Sequence, residues 1–201
     1  MDGGARRDPA LHKLRPVYGE RREVLRELRD AGRRSLTVPA IAFVGRHDSG
    51  KTTFLLALLP LLRSRSLRVG YLKHAHAGFD IDQPGKDSYR ARRAGAVQTI
   101  VTGGGRTAVI DEHEVELGLA GVLERYAGTD LDLLVVEGFK REPLPKIEVA
   151  RAALSTELVC GGDPRLLAVV ADFVPAGVAR CFAPEDAPAV ADFVVTRIVS
   201  P

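Results

Sequence analysis

Residues 41–54, IAFVGRHDSGKTTF, decide the fold. An apolar run leads into a loop with two glycines, then a lysine and two threonines open a helix-forming stretch. Gly45 to Thr52 matches G-x-x-x-x-G-K-[ST], the phosphate-binding P-loop. The spacing has a physical reason. Glycine conformations let backbone N–H groups form a nest for phosphate oxygens at a helix N-terminus. Lys51 adds a point charge toward the outer phosphates, and Thr52 offers its hydroxyl to Mg²⁺. The expected nucleotide-binding set in this loop is Gly45, Asp48, Ser49, Gly50, Lys51, Thr52 and Thr53.

Outward from this loop, strands and helices alternate. SLTVPAIAFVG predicts a buried strand, and the helix that follows is expected over Lys51 to Arg65, kinked or ended early by Pro60. LRVGYLKHAH (67–76) reads as a strand running into a polar, Gly/Pro-punctuated loop. Ser88 to Ala94 is a helix candidate, VQTIVTGGG and TAVID are strands, and VELGLAGVLERY is a helix. LDLLVVEGF, PKIEVAR and LLAVVAD read as further strands, and PEDAPAVADFVVTRI as a terminal helix. Continuous apolar strands between helices predict an α/β fold of the P-loop NTPase kind: a mainly parallel sheet with helices on both faces.

The 201 residues are 45% hydrophobic and 27% charged, which suits one α/β domain with an extension. The net charge of +3 is local. Residues 1–37 hold ten Lys/Arg against six Asp/Glu, and the rest hold 19 against 20. Residues 1–37 are therefore expected to be a basic N-terminal extension, a mobile tail followed by a short helix over Glu20 to Ala31, and residues 38–201 a nucleotide-binding domain. No aromatics alternate with the arginines of the arm, so nucleic acid is not an expected partner. Cys160 and Cys181 lack C-x-x-C spacing and predict neither a disulfide framework nor a thiolate metal site. No apolar run reaches the roughly 18 residues of a membrane span, and a cytoplasmic setting is expected.

Three places outside the P-loop carry candidate chemistry. Glu137 closes a strongly apolar strand, where a carboxylate can hold magnesium-bound water or orient an attacking one, as a catalytic and metal-site residue. The loop KHAHAGFDIDQPGKDS gathers Lys73, His74, His76, Asp80, Asp82, Lys86 and Asp87 beyond a strand end, with Asp80 and Asp82 expected near Mg²⁺ and the bases near phosphate. Asp172 ends LLAVVAD and is the candidate reader of a guanine base, because a carboxylate accepts from both N1–H and the N2 amine.

Together, GRHDSGKTT, LKHAHAGFDIDQPGKDSYRARRAGA and LLVVEGFKREPLPKIEVAR closely resemble the MobB family of molybdopterin-guanine dinucleotide biosynthesis adaptor proteins, over about Val38 to Val199. The resemblance implies a GTP-binding, P-loop α/β protein that assists the nucleotidyltransferase MobA in joining GMP to molybdenum cofactor. It also implies a homodimer with weak GTP hydrolysis. By matching position it carries the phosphate-loop role to Gly45, Gly50, Lys51, Thr52 and Thr53, and a nucleotide or metal role to Asp80, Asp82 and Glu137.

Other readings compete. A small-molecule kinase would use Arg90, Arg92 and Arg93 to clamp a phosphoryl group, yet no lid segment is visible. A metallochaperone GTPase would use His74 and His76, yet both cysteines are distant in sequence. A nucleic-acid module would rest on the basic arm alone.

Overall fold

The structure, a computed structural model, describes residues 38–75, 78–128 and 130–200. The basic arm 1–37, its expected helix and His76 lie outside the described residues.

The apolar run before the P-loop forms β1 (Ala40–Val44), buried along its whole length. In chain order α1 (Lys51–Ser64), β2 (Val69–Lys73), α2 (Asp87–Arg93), β3 (Gln98–Gly103), β4 (Arg106–Asp111), α3 (Leu119–Tyr126), β5 (Leu133–Glu137), β6 (Lys146–Ala150), β7 (Leu166–Ala171), β8 (Cys181–Phe182) and α4 (Ala187–Val194) follow. A π-helical turn, Val195–Val199, continues α4. Six strands make one parallel sheet in the order β2-β5-β1-β6-β7-β8, so β1 lies between β5 and β6.

Strand alternation sorts the core. Ile41, Phe43, Leu133, Val135, Ile147 and Val149 point to one face, where Phe54, Leu55, Leu58 and Leu62 of α1 and Val190 and Val194 of α4 cover them. Ala40, Ala42, Val44, Leu134 and Val136 point to the other, against Leu119 of α3, Leu144 and Cys160. The expected mainly parallel sheet with helices on both faces is what the chain forms.

One local expectation needs correction, and one gains its pairing. Pro60 does not end α1, which runs through it to Ser64. Both Pro60 and Leu56, the residue four before it, are exposed, so water can satisfy the carbonyl that proline leaves unpaired. The expected strands VQTIVTGGG and TAVID both form, outside the parallel sheet. They pair only with each other as the antiparallel hairpin β3–β4, because Gly104 and Gly105 (φ 57° and 75°) turn the chain straight back.

Candidate functional site

The link from β1 to α1 is tight enough to demand glycine. A Cβ on Gly45 (φ 146°) would lie 2.2 Å from the Val149 carbonyl oxygen, and Gly50 (φ 87°) caps α1 in the left-handed region. Asp48 is also left-handed, at φ 58°, which a short polar side chain tolerates. Ser49 is buried beneath the loop with no hydrogen bond to its Oγ among the described residues. Thr53 is exposed on the first turn of α1.

Lys51 folds back over the loop, its Nζ donating to the carbonyls of Arg46 (2.6 Å) and Gly45 (3.3 Å). Burial pushes this ammonium below its ordinary value, Glu137 opposes that, and Lys73 and Lys140 add repulsion. A cation crowded by other cations is primed for an anion.

Glu137 follows Leu133 and Val135 in the alternation of β5, which turns it to the α1 face. It is 5% exposed. Its Oε1 accepts from the Thr52 hydroxyl at 2.8 Å, and its Oε2 from the Tyr71 hydroxyl at 2.5 Å. Register explains the third partner: β2 pairs Lys73 directly with Glu137, and Lys73 Nζ lies 3.3 Å from Oε1 and 3.4 Å from Thr52 Oγ1. Burial alone would raise the Glu137 pKa, but the Tyr71 and Thr52 hydroxyls and the Lys73 charge outweigh it and hold the carboxyl below its ordinary value. Burial and the same carboxylate push the Tyr71 phenol upward.

The residues expected in the loop after β2 form a different constellation. Arg92 of α2 lies 3.5 Å from Asp80 and 3.4 Å from Asp82, and donates to Glu112 at 2.7 Å. Asp82 also accepts from Ser88 at 2.8 Å. His74 stacks on Phe139 and meets Glu116 through Nε2 at 2.7 Å. Among the described residues no three His, Cys, Asp or Glu side chains gather as a metal site. Asp172 uses Oδ1 to accept from the Ala152 N–H at 2.7 Å, tying the exit of β7 to the exit of β6.

Sequence reading overlooked Tyr71 as a holder of Glu137, although V-x-Y-x-K in β2 already puts Val69, Tyr71 and Lys73 on one face. It also overlooked two buried charges in β6. Lys146 donates to the carbonyls of Lys140 and Glu142 (3.1 Å each) and to Asp163 (2.7 Å). Glu148 accepts from the amides of Val159 (2.7 Å) and Cys160 (2.8 Å).

Hard oxygens from Thr52 and Glu137, 2.8 Å apart beside a helix N-terminus, are the donor type Mg²⁺ selects when phosphates and water complete its shell. Thr52 and Glu137 would hold that ion, with the Lys73 ammonium 3.3 Å from the same carboxylate.

Comparisons with known proteins agree with this geometry. The family model "Molybdopterin guanine dinucleotide synthesis protein B" (MobB) matches residues 40–172. The molybdopterin-guanine dinucleotide biosynthesis adapter protein of Escherichia coli (strain K12) is 42% identical over 164 residues, 79% of this chain and 92% of that protein. The adapter protein of Haemophilus influenzae is 38% identical over 121 residues, 60% of this chain and 68% of its own length. Among solved structures, Bacillus subtilis MobB superposes with a TM-score of 0.63 at 29% identity, covering 81% of this chain and 99% of that one. A crystal structure of molybdopterin-guanine biosynthesis protein B gives 0.64 at 28% identity, covering 78% and 98%. With the family model spanning most of the domain and the P-loop, Glu137 and sheet order in place, this chain belongs to the MobB family.

Proposed function

We propose that this chain is a GTP-binding adapter of molybdopterin-guanine dinucleotide biosynthesis that works with a MobA-like nucleotidyltransferase and its molybdopterin or molybdenum cofactor substrate. The observation that carries the reading is Lys51 and the Thr52–Glu137 pair meeting at one helix N-terminus in a chain of this family. The work is done in the cytoplasm, on a homodimer built through the β3–β4 hairpin.

The triphosphate lies on the amides of residues 45–52, with Lys51 swung from the Arg46 carbonyl onto the outer phosphates. Thr52 and Glu137 would hold Mg²⁺, which would supply charge neutralisation at the phosphates. Lys73, 3.4 Å from the Thr52 hydroxyl, stands within reach of the same phosphates. Hydrolysis is slow because Glu137, engaged by the Tyr71 hydroxyl and needed to hold the metal, is a poor proton acceptor for an attacking water. The protein holds GTP better than it consumes it. Asp172 reads guanine through the oxygen that Ala152 leaves available. Asp80 and Asp82 stay with Arg92 and shape the loop beside the site unless nucleotide draws them in.

Equilibrium GTP binding with Mg²⁺ tests the reading. Lys51→Ala is expected to weaken GTP by more than tenfold, the worth of a charge-assisted contact of about 1.5 to 3 kcal/mol, with thermal stability unchanged. Equal affinity in the variant would falsify the phosphate-loop assignment. Single-turnover assays with labelled GTP, with and without the transferase, then separate delivery from hydrolysis.

A further inference from the structure

The alternation that turns Glu137 toward α1 has a counterpart on the other flank of β1. In β6, Ile147 and Val149 face α1, so the next residue on that face is Arg151, one past the end of the strand. Its guanidinium lies against the P-loop: a Cβ on Gly50 would sit 3.3 Å from one terminal nitrogen of Arg151 and 3.5 Å from its Nε. No carboxylate of the described residues pairs with it, whereas Arg46 on the same flank has Glu157 at 3.7 Å. The backbone around it is fixed. Asp172 accepts the Ala152 N–H, and the Arg151 carbonyl accepts from the amides of Leu154 (3.0 Å) and Ser155 (3.1 Å). A half-buried guanidinium with no carboxylate partner among the described residues, on a pinned turn beside a helix N-terminus that is itself positive, is an arrangement that an anion stabilises.

We propose that Arg151 is a phosphate-binding residue for the nucleoside-proximal part of the bound nucleotide, supplied from the flank opposite Glu137. The inference rests on the nucleotide-binding reading above. Thr52, Glu137 and Lys73 gather on the β5 side of β1, where the metal end of the polyphosphate belongs. Arg151 stands on the β6 side and meets the phosphates that GDP and GTP share. Asp172 acts here as a positioning residue, because its hydrogen bond to Ala152 sets the turn that carries the guanidinium.

The test is titration of the full-length protein with GTP and with GDP, each with Mg²⁺. Arg151→Ala is expected to weaken both by the same factor, roughly tenfold or more. Arg151→Lys, which keeps the charge but not the fork, falls between parent and Arg151→Ala for both. Parent-like affinity for both nucleotides in Arg151→Ala overturns the proposal, and so does a loss confined to GTP, which would put the guanidinium on the γ-phosphate. Should Arg151→Ala fail to fold, Arg151→Lys decides alone: an equal several-fold loss for both supports the assignment, and parent-like binding overturns it. A parent that binds neither nucleotide refutes the nucleotide-binding reading itself, which keeps the two failures distinct.

Discussion

At Glu137 three donors converge on one carboxylate, and the consequence is a charge fixed in place before any ligand arrives. Its depressed pKa makes a stability statement with a definite sign. The contribution is complete above the ordinary glutamate value of about 4.3 and is lost as pH falls from there through the lower folded-state value. Thermal unfolding of parent and Glu137→Gln between about pH 7 and about pH 3 should show a stability gap that narrows on acidification. A gap that stays constant over that range would mean the carboxylate is no better held in the folded chain than in the unfolded one. Glu137→Gln should also lower hydrolysis by about tenfold or more, since the amide cannot take a proton. Tyr71→Phe acts the other way on the acid: it removes one donor, lets the Glu137 pKa rise toward its ordinary value, and should shift the pH profile of single-turnover hydrolysis upward.

Among the elements, β6 shows what a central strand can carry. Its sequence KIEVA has the alternation of a strand half in water, yet it lies between β1 and β7 with all five residues buried. Loop backbone replaces water: Lys146 holds the 140–142 turn after β5 together with Asp163, and Glu148 holds the amides of residues 159 and 160. Lys146→Met should therefore cost about 3 kcal/mol, because Asp163 and two carbonyls lose their partner at once. It should weaken GTP binding too, since Lys140 on the released turn is one of the cations facing Lys51. Denaturant unfolding and a GTP titration check both, and a variant with parent-like unfolding would show that the clamp is replaceable. These partners were not legible in the sequence, because they depend on which loop backbones a buried charge meets. What was legible followed from local rules: the P-loop between strand and helix, Glu137 at the end of an apolar strand, and the alternating elements of a parallel sheet. The pairing of the hairpin strands was not legible for the same reason that Tyr71 was overlooked. Strand neighbours are set by lateral pairing, and apolar runs such as QTIV carry no mark of whether the partner is the main sheet or the next strand.

For the molecule as a whole, the hairpin β3–β4 is the part least explained by a single copy. Two-stranded hairpins are marginal in water unless a third strand or a packed face supports them. Here Thr99 is buried, while Ile100 and Val109, which face each other across the ladder, are 59% and 44% exposed. Val97, just before β3, is 75% exposed, and the next pair on the Ile100–Val109 face is Gln98 with Asp111, hydrogen-bonded at 2.6 Å. In the homodimer proposed above, a second copy of the chain would cover this face, for the hairpin edges are also unpaired among the described residues and a copy can meet them with identical strands. Replacing Ile100 and Val109 together by Asp puts two like charges opposite each other on that face, which disfavours the pair and any self-association through it. The double variant should sediment as a monomer at concentrations where the parent is a dimer. Because the P-loop belongs to the other sheet, each monomer should still bind GTP within a few fold of the parent. A parent that is monomeric throughout would remove the hairpin dimer from the proposed function. A variant that stays dimeric would move the interface elsewhere, while loss of GTP binding on dissociation would mean that the second copy helps to build the nucleotide site.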